Sequence, residues 1–321
     1  MRILITGGAG FIGSHTAQLL SEEGADLVIL DNLVTGRRQD VGRGPFVEGN
    51  IDDVSLVRSI LRQHRITSVL HLAASGHVAE SMLRPDAYFA NNVVRTLRLI
   101  EAMLAEGVYR LVFASSCAIY GNAPSAHEGK SESPLSPYGE SKLQTERALP
   151  WFERANGLRW AALRYFNVAG ASDGLGEEAS SSVRIIPRAV RSVLGTGSPL
   201  QVYGADFPTA DGSAVRDYVH VADVARANLK ALRFVENCEA GEVINIGSGV
   251  GVSVLQIIRT VSGQSGRPLP YQVGPARPVD PACVVSDIAK AQRLLGWRPV
   301  ESTLANIVAS VIRSCETRTL F

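Results

Sequence analysis

Tyr138 and Lys142 stand four positions apart in the stretch Tyr138-Gly139-Glu140-Ser141-Lys142, a spacing that brings both side chains onto one face of a helix. A phenol alone is a poor base, with a pKa of about 10. A lysine charge about 4 Å away is worth roughly 4 kcal/mol at an effective dielectric of about 20, or some three pKa units before screening. The pair therefore reads as a tyrosine base and the lysine that activates it. Ser115-Ser116 close the apolar run Leu111-Val112-Phe113-Ala114. A hydroxyl thus falls at the carboxyl end of a strand, where open α/β sheets bind ligands. Ser116 is the candidate hydrogen-bond partner of the reacting oxygen.

A second constellation lies at the start of the chain. Gly7, Gly10 and Gly13 follow a short apolar strand and open a helix. Glycine allows the tight turn, lets the backbone approach a pyrophosphate and lets helix and strand pack closely, while the helix N-terminus offers free N–H groups to the anion. Asp31-Asn32 come at the end of the next strand, 18 residues beyond Gly13. A carboxylate there accepts hydrogen bonds from ribose hydroxyls and repels a 2′-phosphate, which favours NAD over NADP, although Arg37 and Arg38 stand nearby. A bound nicotinamide ring would add a positive charge beside the phenol of Tyr138.

These groups need a scaffold, and the chain supplies one. Apolar runs at residues 3–6, 27–30, 69–72, 111–114 and 160–163 alternate with amphipathic stretches, the pattern of a parallel sheet covered by helices on both faces. Two long helices are expected over residues 86–106, after Pro85, and 137–154, with Ser136 as N-cap. Beyond about residue 170 the pattern loosens, with loops at 170–182 and 204–214, a strand at 243–246, a helix from Ser253 and a closing helix from Ser302. The expected fold is α/β, a Rossmann-type doubly wound sheet over residues 1–170 with a smaller substrate-binding α/β lobe over 171–321 and some crossing of the chain between them.

The chain has 321 residues, 45% of them hydrophobic, and can bury a large core. Its 32 basic and 31 acidic residues are interspersed, which leaves no basic face for nucleic acid. Cys117, Cys238, Cys283 and Cys315 are far apart and lack metal-site spacing, so they read as reduced packing residues, with no metal site expected. The apolar start is too short for a signal peptide and no membrane-length run follows, so a cytoplasmic protein with small-molecule partners is expected. There are no internal repeats.

The glycine spacing, the serine and the Tyr-x-x-x-Lys pair, in that order, resemble the extended short-chain dehydrogenase/reductase family. Within it the chain is most similar to the UDP-glucose (UDP-galactose) 4-epimerase family, through Gly7 to His15, Asp31-Asn32-Leu33, Ser136-Pro137-Tyr138, Arg164-Tyr165-Phe166-Asn167 and the segment from Pro208 to Val221. The resemblance implies bound NAD contacted by Phe11, Ile12, Asn32, Thr35, Gly36, Asn50, Ile51, Leu72, Ala73, Ala74, Asn91 and Phe166, besides the glycines, Asp31, Tyr138 and Lys142. It implies a nucleotide sugar held by Ser116, Tyr138, Asn167, Arg184, Tyr203, Arg216, Arg277 and Asp280. The implied reaction inverts C4 of a UDP-hexose: Tyr138 takes the O4 proton, and a transient 4-keto sugar turns over before C4 is reduced on its other face. Related dehydratases and decarboxylases carry an acidic residue after this serine or threonine; Cys117 and Ala118 stand there instead. The resemblance further implies a homodimer in which the two long helices form a four-helix bundle.

Departures from the family pattern keep other substrates open. Asn50 replaces a usual Asp, and Arg184 stands where relatives carry Asn or His facing the substrate diphosphate. An arginine there either grips the diphosphate or pairs with a C6 carboxylate. Val284 falls where some epimerases use a bulky tyrosine against N-acetyl groups. UDP-glucuronate or UDP-N-acetylglucosamine 4-epimerases, a nucleotide-sugar oxidoreductase and a non-catalytic NAD sensor are the alternatives.

Overall fold

The computed structural model of the protein describes residues 1–42, 44–172, 175–176, 184–277 and 280–318, without the side chains of 317 and 318. Part of the expected 170–182 loop, and Val183 beside Arg184, therefore lie outside the described residues.

The strands are β1 (Arg2–Thr6), β2 (Asp26–Asp31), β3 (Phe46–Glu48), β4 (Ser68–His71), β5 (Arg110–Ser116), β6 (Arg159–Tyr165), β7 (Asn167–Ala169), β8 (Leu200–Tyr203), β9 (Val215–His220), β10 (Glu242–Ile246), β11 (Gly251–Ser253), β12 (Tyr271–Gly274) and β13 (Cys283–Val284). Seven of them form one parallel sheet in the order β10-β6-β5-β4-β1-β2-β3. The order reverses between β1 and β4, which opens a crevice at their carboxyl ends. β10, from beyond residue 170, completes the sheet beside β6.

Burial on both faces explains the uninterrupted apolar strands. Successive side chains of β1 point to opposite faces. Ile3 and Ile5 join a core with α1 (Phe11–Glu22), α8 (Val221–Asn237) and α10 (Ala289–Leu295). Leu4 joins another with α2 (Val54–Gln63), α5 (Arg95–Ala105) and α6 (Pro137–Asn156).

Helix α6 begins where the sequence places it: Ser136 accepts the Gly139 N–H at 3.2 Å and Pro137 occupies the first turn. It ends two residues later than expected, at Asn156, and is capped by Gly157 with φ +73°. The expected helix over 86–106 is not uniform. After α3 (Val78–Leu83) it consists of α4 (Pro85–Phe89), a π-helical turn over Ala90–Val94 and then α5. The expected strand over 69–72 starts at Ser68 and ends at His71, and Leu72 continues only through its N–H to the Thr6 carbonyl.

The remaining elements build a smaller lobe. β9 lies between β11 and β13 and also pairs with β7; β8 pairs with β12. α7 (Ile185–Val193), α9 (Val254–Ser265) and α11 (Leu304–Arg318) pack a separate core around Ile186, Ile257 and Val308. α9 opens with a Ser253/Gln256 capping box, while the closing helix starts at Leu304 rather than Ser302, because the Thr303 hydroxyl caps it by accepting the Asn306 N–H at 3.2 Å and the Ser302 hydroxyl is bonded to Asp223. Among the described residues no helix is long and apolar enough to cross a membrane.

Candidate active site

The turn after β1 is shaped by glycines that admit no side chain. A Cβ on Gly13 would lie 2.2 Å from the Gly7 carbonyl oxygen, and one on Gly7, at φ +72°, 2.6 Å from the Ala73 nitrogen. Gly10 caps α1 in extended conformation and no side chain caps the helix, so the first-turn N–H groups of Phe11, Ile12 and Gly13 face the turn. Such a terminus fits the pyrophosphate of a dinucleotide. Gly36 packs on Ala9, 2.8 Å for a notional Cβ, and carries the exposed Thr35 past the cradle.

Asp31 is buried at the end of β2. Its two oxygens accept from the Ala9 and Leu33 N–H groups at 2.9 and 2.8 Å, which aims the carboxylate across the cradle. Asn32 donates to Asn50 Oδ1 at 2.8 Å, so the asparagine standing where relatives carry Asp is held in place from β2. Ile51 is buried behind it and Leu72, Ala73 and Ala74 line the exit of β4, half-buried. Arg37 is paired with Asp40 at 2.7 Å and Arg38 stacks on Phe46 at 4.3 Å. Both arginines near the ribose position are thus engaged elsewhere, in keeping with NAD rather than NADP.

On the other side of the crevice β5 delivers its serines to opposite faces. Ser115 is buried with no hydrogen-bond partner for its hydroxyl among the described residues, whereas Ser116 accepts the Ala118 N–H at 3.1 Å and lies beside the Tyr138 phenol. The serine expected from the sequence is therefore the one beside the tyrosine. Lys142 is buried; its Nζ donates to the Ala114 carbonyl at 2.8 Å and lies 4.8 Å from the centre of the Phe113 ring.

The electrostatics differ from the simple two-residue expectation. Burial raises the Tyr138 pKa, opposed by the neighbouring Ser116 hydroxyl and the Arg184 charge. Burial also lowers Lys142 to about 7, partly offset by Glu146. Desolvation acts on both groups at once and so opposes the lowering of the phenol expected from Lys142.

Two further contacts hold α6 in place. Arg164, 1% exposed, grips Glu146 through Nε at 3.0 Å and Nη2 at 2.6 Å. On the other flank the π-turn brings Asn92 between three segments: its Oδ1 accepts from the Ser75 N–H, and its Nδ2 donates to the Ser75 carbonyl and Ser141 hydroxyl, at 2.9, 3.0 and 3.0 Å. Ser141 in turn donates to the Tyr138 carbonyl at 2.7 Å. The neighbouring Asn91 donates to Ser75 Oγ at 3.1 Å. Asn92, Ser75 and Ser141 were not expected from the sequence. The one available signal is the Asn91-Asn92 doublet inside a helical pattern, since asparagine favours backbone-competing conformations.

The smaller lobe brings its own set to this edge. Arg216 on β9 forms an ion pair with Asp280, and Arg277 stacks on Tyr203 with 3.8 Å between guanidinium and ring centre. The Arg184 guanidinium, just before α7, lies 5.0 Å from the Phe11 ring, between the glycine cradle and Tyr138. Asn167 starts β7, half-buried, while Phe166 is buried against Tyr120 and Val284. Cys117 packs on the same cluster, and burial pushes its thiol up to about 12. Arg216 and Asp217 both act on that thiol, which places β9 opposite the residue after Ser116.

The family model described as NAD dependent epimerase/dehydratase matches residues 3–247. A curated UDP-glucose 4-epimerase from Lacticaseibacillus casei is 41% identical over 313 residues, 96% of this chain and 95% of its own. The crystal structure of UDP-glucose 4-epimerase from Brucella ovis in complex with NAD superposes with a TM-score of 0.93 at 39% identity, covering 97% of each chain. That of the Stenotrophomonas maltophila enzyme, with bound NAD and formylated UDP-arabinopyranose, gives 0.94 at 34% identity, over 100% of this chain and 99% of that one.

Proposed function

Because the chain belongs to the NAD dependent epimerase/dehydratase family, we propose that it binds NAD and inverts C4 of a UDP-hexose, UDP-glucose and UDP-galactose first. The observation that carries this reading is the Ser116 hydroxyl and Tyr138 phenol set side by side, together with a glycine cradle whose turn admits no side chain and leaves the first-turn N–H groups of the helix open to an anion. The cradle, Asp31 and Lys142 would hold NAD, which would supply the two-electron oxidation and re-reduction at C4. Ser116 orients O4 by hydrogen bonding, and the Tyr138 phenolic oxygen takes the O4 proton and returns it. Cys117 and Ala118 offer no acid or base for a neighbouring carbon, so the keto sugar has no exit but reduction. Arg216 with Asp280, and Arg277 on Tyr203, retain the nucleotide diphosphate while the hexose turns over. Residues 1–170 serve as the NAD lobe and 171–321 as the nucleotide-sugar lobe, with α8 and β10 crossing back into the first.

Purified protein carries NAD without added nucleotide, and NMR after incubation with each UDP-sugar identifies the product. Stoichiometric NADP, or consumption of added NADH, overturns the reading.

A UDP-N-acetylhexosamine or UDP-glucuronate substrate is the second reading, favoured by the small Val284 against Phe166 and by the Arg184 guanidinium beside Tyr138. Arg184→Asn lowers kcat/KM about ten- to hundred-fold, the worth of a charge-assisted hydrogen bond. Equal losses on UDP-glucose, UDP-glucuronate and UDP-N-acetylglucosamine assign the arginine to the diphosphate; a loss confined to UDP-glucuronate makes the enzyme a uronate epimerase.

The protein acts in the cytoplasm as a twofold dimer built on the helical segments over 86–106 and 137–154. Val94, 56% exposed, and Trp151, 67% exposed, are apolar side chains on these segments that a partner would cover. Light scattering gives about twice 34.3 kDa at micromolar concentration; a monomer mass removes the dimer.

A further inference from the structure

Asp217 follows Arg216 on β9 and is fully buried. Its Oδ1 accepts from the Ser248 N–H and hydroxyl, both at 2.6 Å. Its Oδ2 accepts from the Gly249 N–H at 3.0 Å, the Ser286 N–H at 3.1 Å and the Ser286 hydroxyl. No ion pair to it is found among the described residues, so this carboxylate is spent on hydrogen bonds. The fit is close: a Cβ on Gly247 would lie 2.6 Å from Oδ2.

The donors come from two separate stretches. Ser248 and Gly249 lead into β11, and Ser286 follows β13. These are the two strands on either side of β9, and Val252 and Val284 both stand opposite Arg216. Asp280 precedes Val284 by four residues. A one-residue slip of β13 would carry Asp280 about 3.3 Å along the strand and turn its neighbours to the other face, which would part it from Arg216. The same stretch is stitched to the segment running on from Ser116, through the Ala126 N–H to Val285 and the Asp287 N–H to Ala126, each at 2.8 Å.

We propose that Asp217 is a positioning residue for nucleotide-sugar binding: by clamping β11 and β13 to β9 it holds Arg216 against Asp280 and so sets substrate affinity. This rests on the assignment of Arg216 and Asp280 to the nucleotide sugar under Proposed function. Asp217 touches no reacting atom, so its effect belongs in KM and not in kcat.

The test uses the full chain with its NAD and UDP as the calorimetric probe. In Asp217→Asn one accepting oxygen becomes an N–H donor facing other donors, and UDP affinity falls about tenfold. KM for UDP-galactose rises in step, while kcat and NAD content hold. Asp217→Asn/Asp280→Asn binds UDP within about twofold of Asp280→Asn alone, because both changes disable one clamp. Additive losses, or a fall confined to kcat, overturn the proposal, since a merely structural residue would behave so. Should Asp217→Asn not fold, Ser286→Ala removes a single donor and weakens UDP in the same direction; unchanged UDP affinity in that variant overturns the proposal equally. A wild type that neither binds UDP nor turns over UDP-sugars sinks the functional reading as well, whereas a wild type and Asp217→Asn that bind UDP equally sink the positioning role alone.

Discussion

Tyr138→Phe lowers turnover about a hundred- to ten-thousand-fold, the range for loss of a general acid–base group, and leaves NAD bound. The change deletes only the phenolic oxygen. The ring keeps its edge-to-face contact with Tyr88, 6.3 Å between centres, and the backbone carbonyl of residue 138 keeps its bond from Ser141. A variant with more than a tenth of the wild-type rate would show that another group is the base. The working form is the phenolate, so activity rises with pH as Tyr138 ionises, and burial pushes that rise upward while Ser116 and Arg184 pull it down. Lys142→Met removes a charge from the same site and the hydrogen bond to the Ala114 carbonyl, so activity falls and the rise moves to higher pH. A pH–rate profile that stays in place would separate the lysine from the base.

Gly13→Ala strips the protein of NAD and of activity together. The added methyl would sit 2.2 Å from the Gly7 oxygen and 2.6 Å from the Gly8 Cα. Both are backbone atoms, so no side chain can swing aside and the turn itself must open. Relieving such overpacking costs about 1–3 kcal/mol, or roughly ten- to hundred-fold in cofactor affinity if the strain falls on the cradle. Nucleotide extracted from the purified variant should be well below one equivalent. Gly263→Ala is the control: its Cβ meets nothing within 4 Å, and alanine favours the helix it would join. A Gly13→Ala protein carrying stoichiometric NAD would mean that the cradle is wider than its glycines indicate.

Local groups were legible in the sequence because local geometry produces them. The turn from β1 to α1 is set within a few residues by glycines that alone fit there, and Asp31 needs only the end of the next strand. Tyr138 and Lys142 share a face because a helix starts at Ser136, whose capping is a property of four consecutive residues. The alternation of apolar strands and amphipathic helices was enough to name a doubly wound parallel sheet. What depends on distant parts of the chain was decided only by folding. β10 finds β6 across some 80 residues, and β9 brings Arg216 to Asp280, 64 positions apart, through a register that no local pattern encodes. The π-turn arises where Asn92 can reach both Ser75 and Ser141, three segments that meet only in the packed lobe. Burial is likewise a sum over every element around a group. That is why the spacing of Tyr138 and Lys142 pointed to the chemistry, while only the tertiary structure shows desolvation raising the phenol and lowering the lysine to about 7, with Ser116 and Arg184 opposing the rise of the phenol.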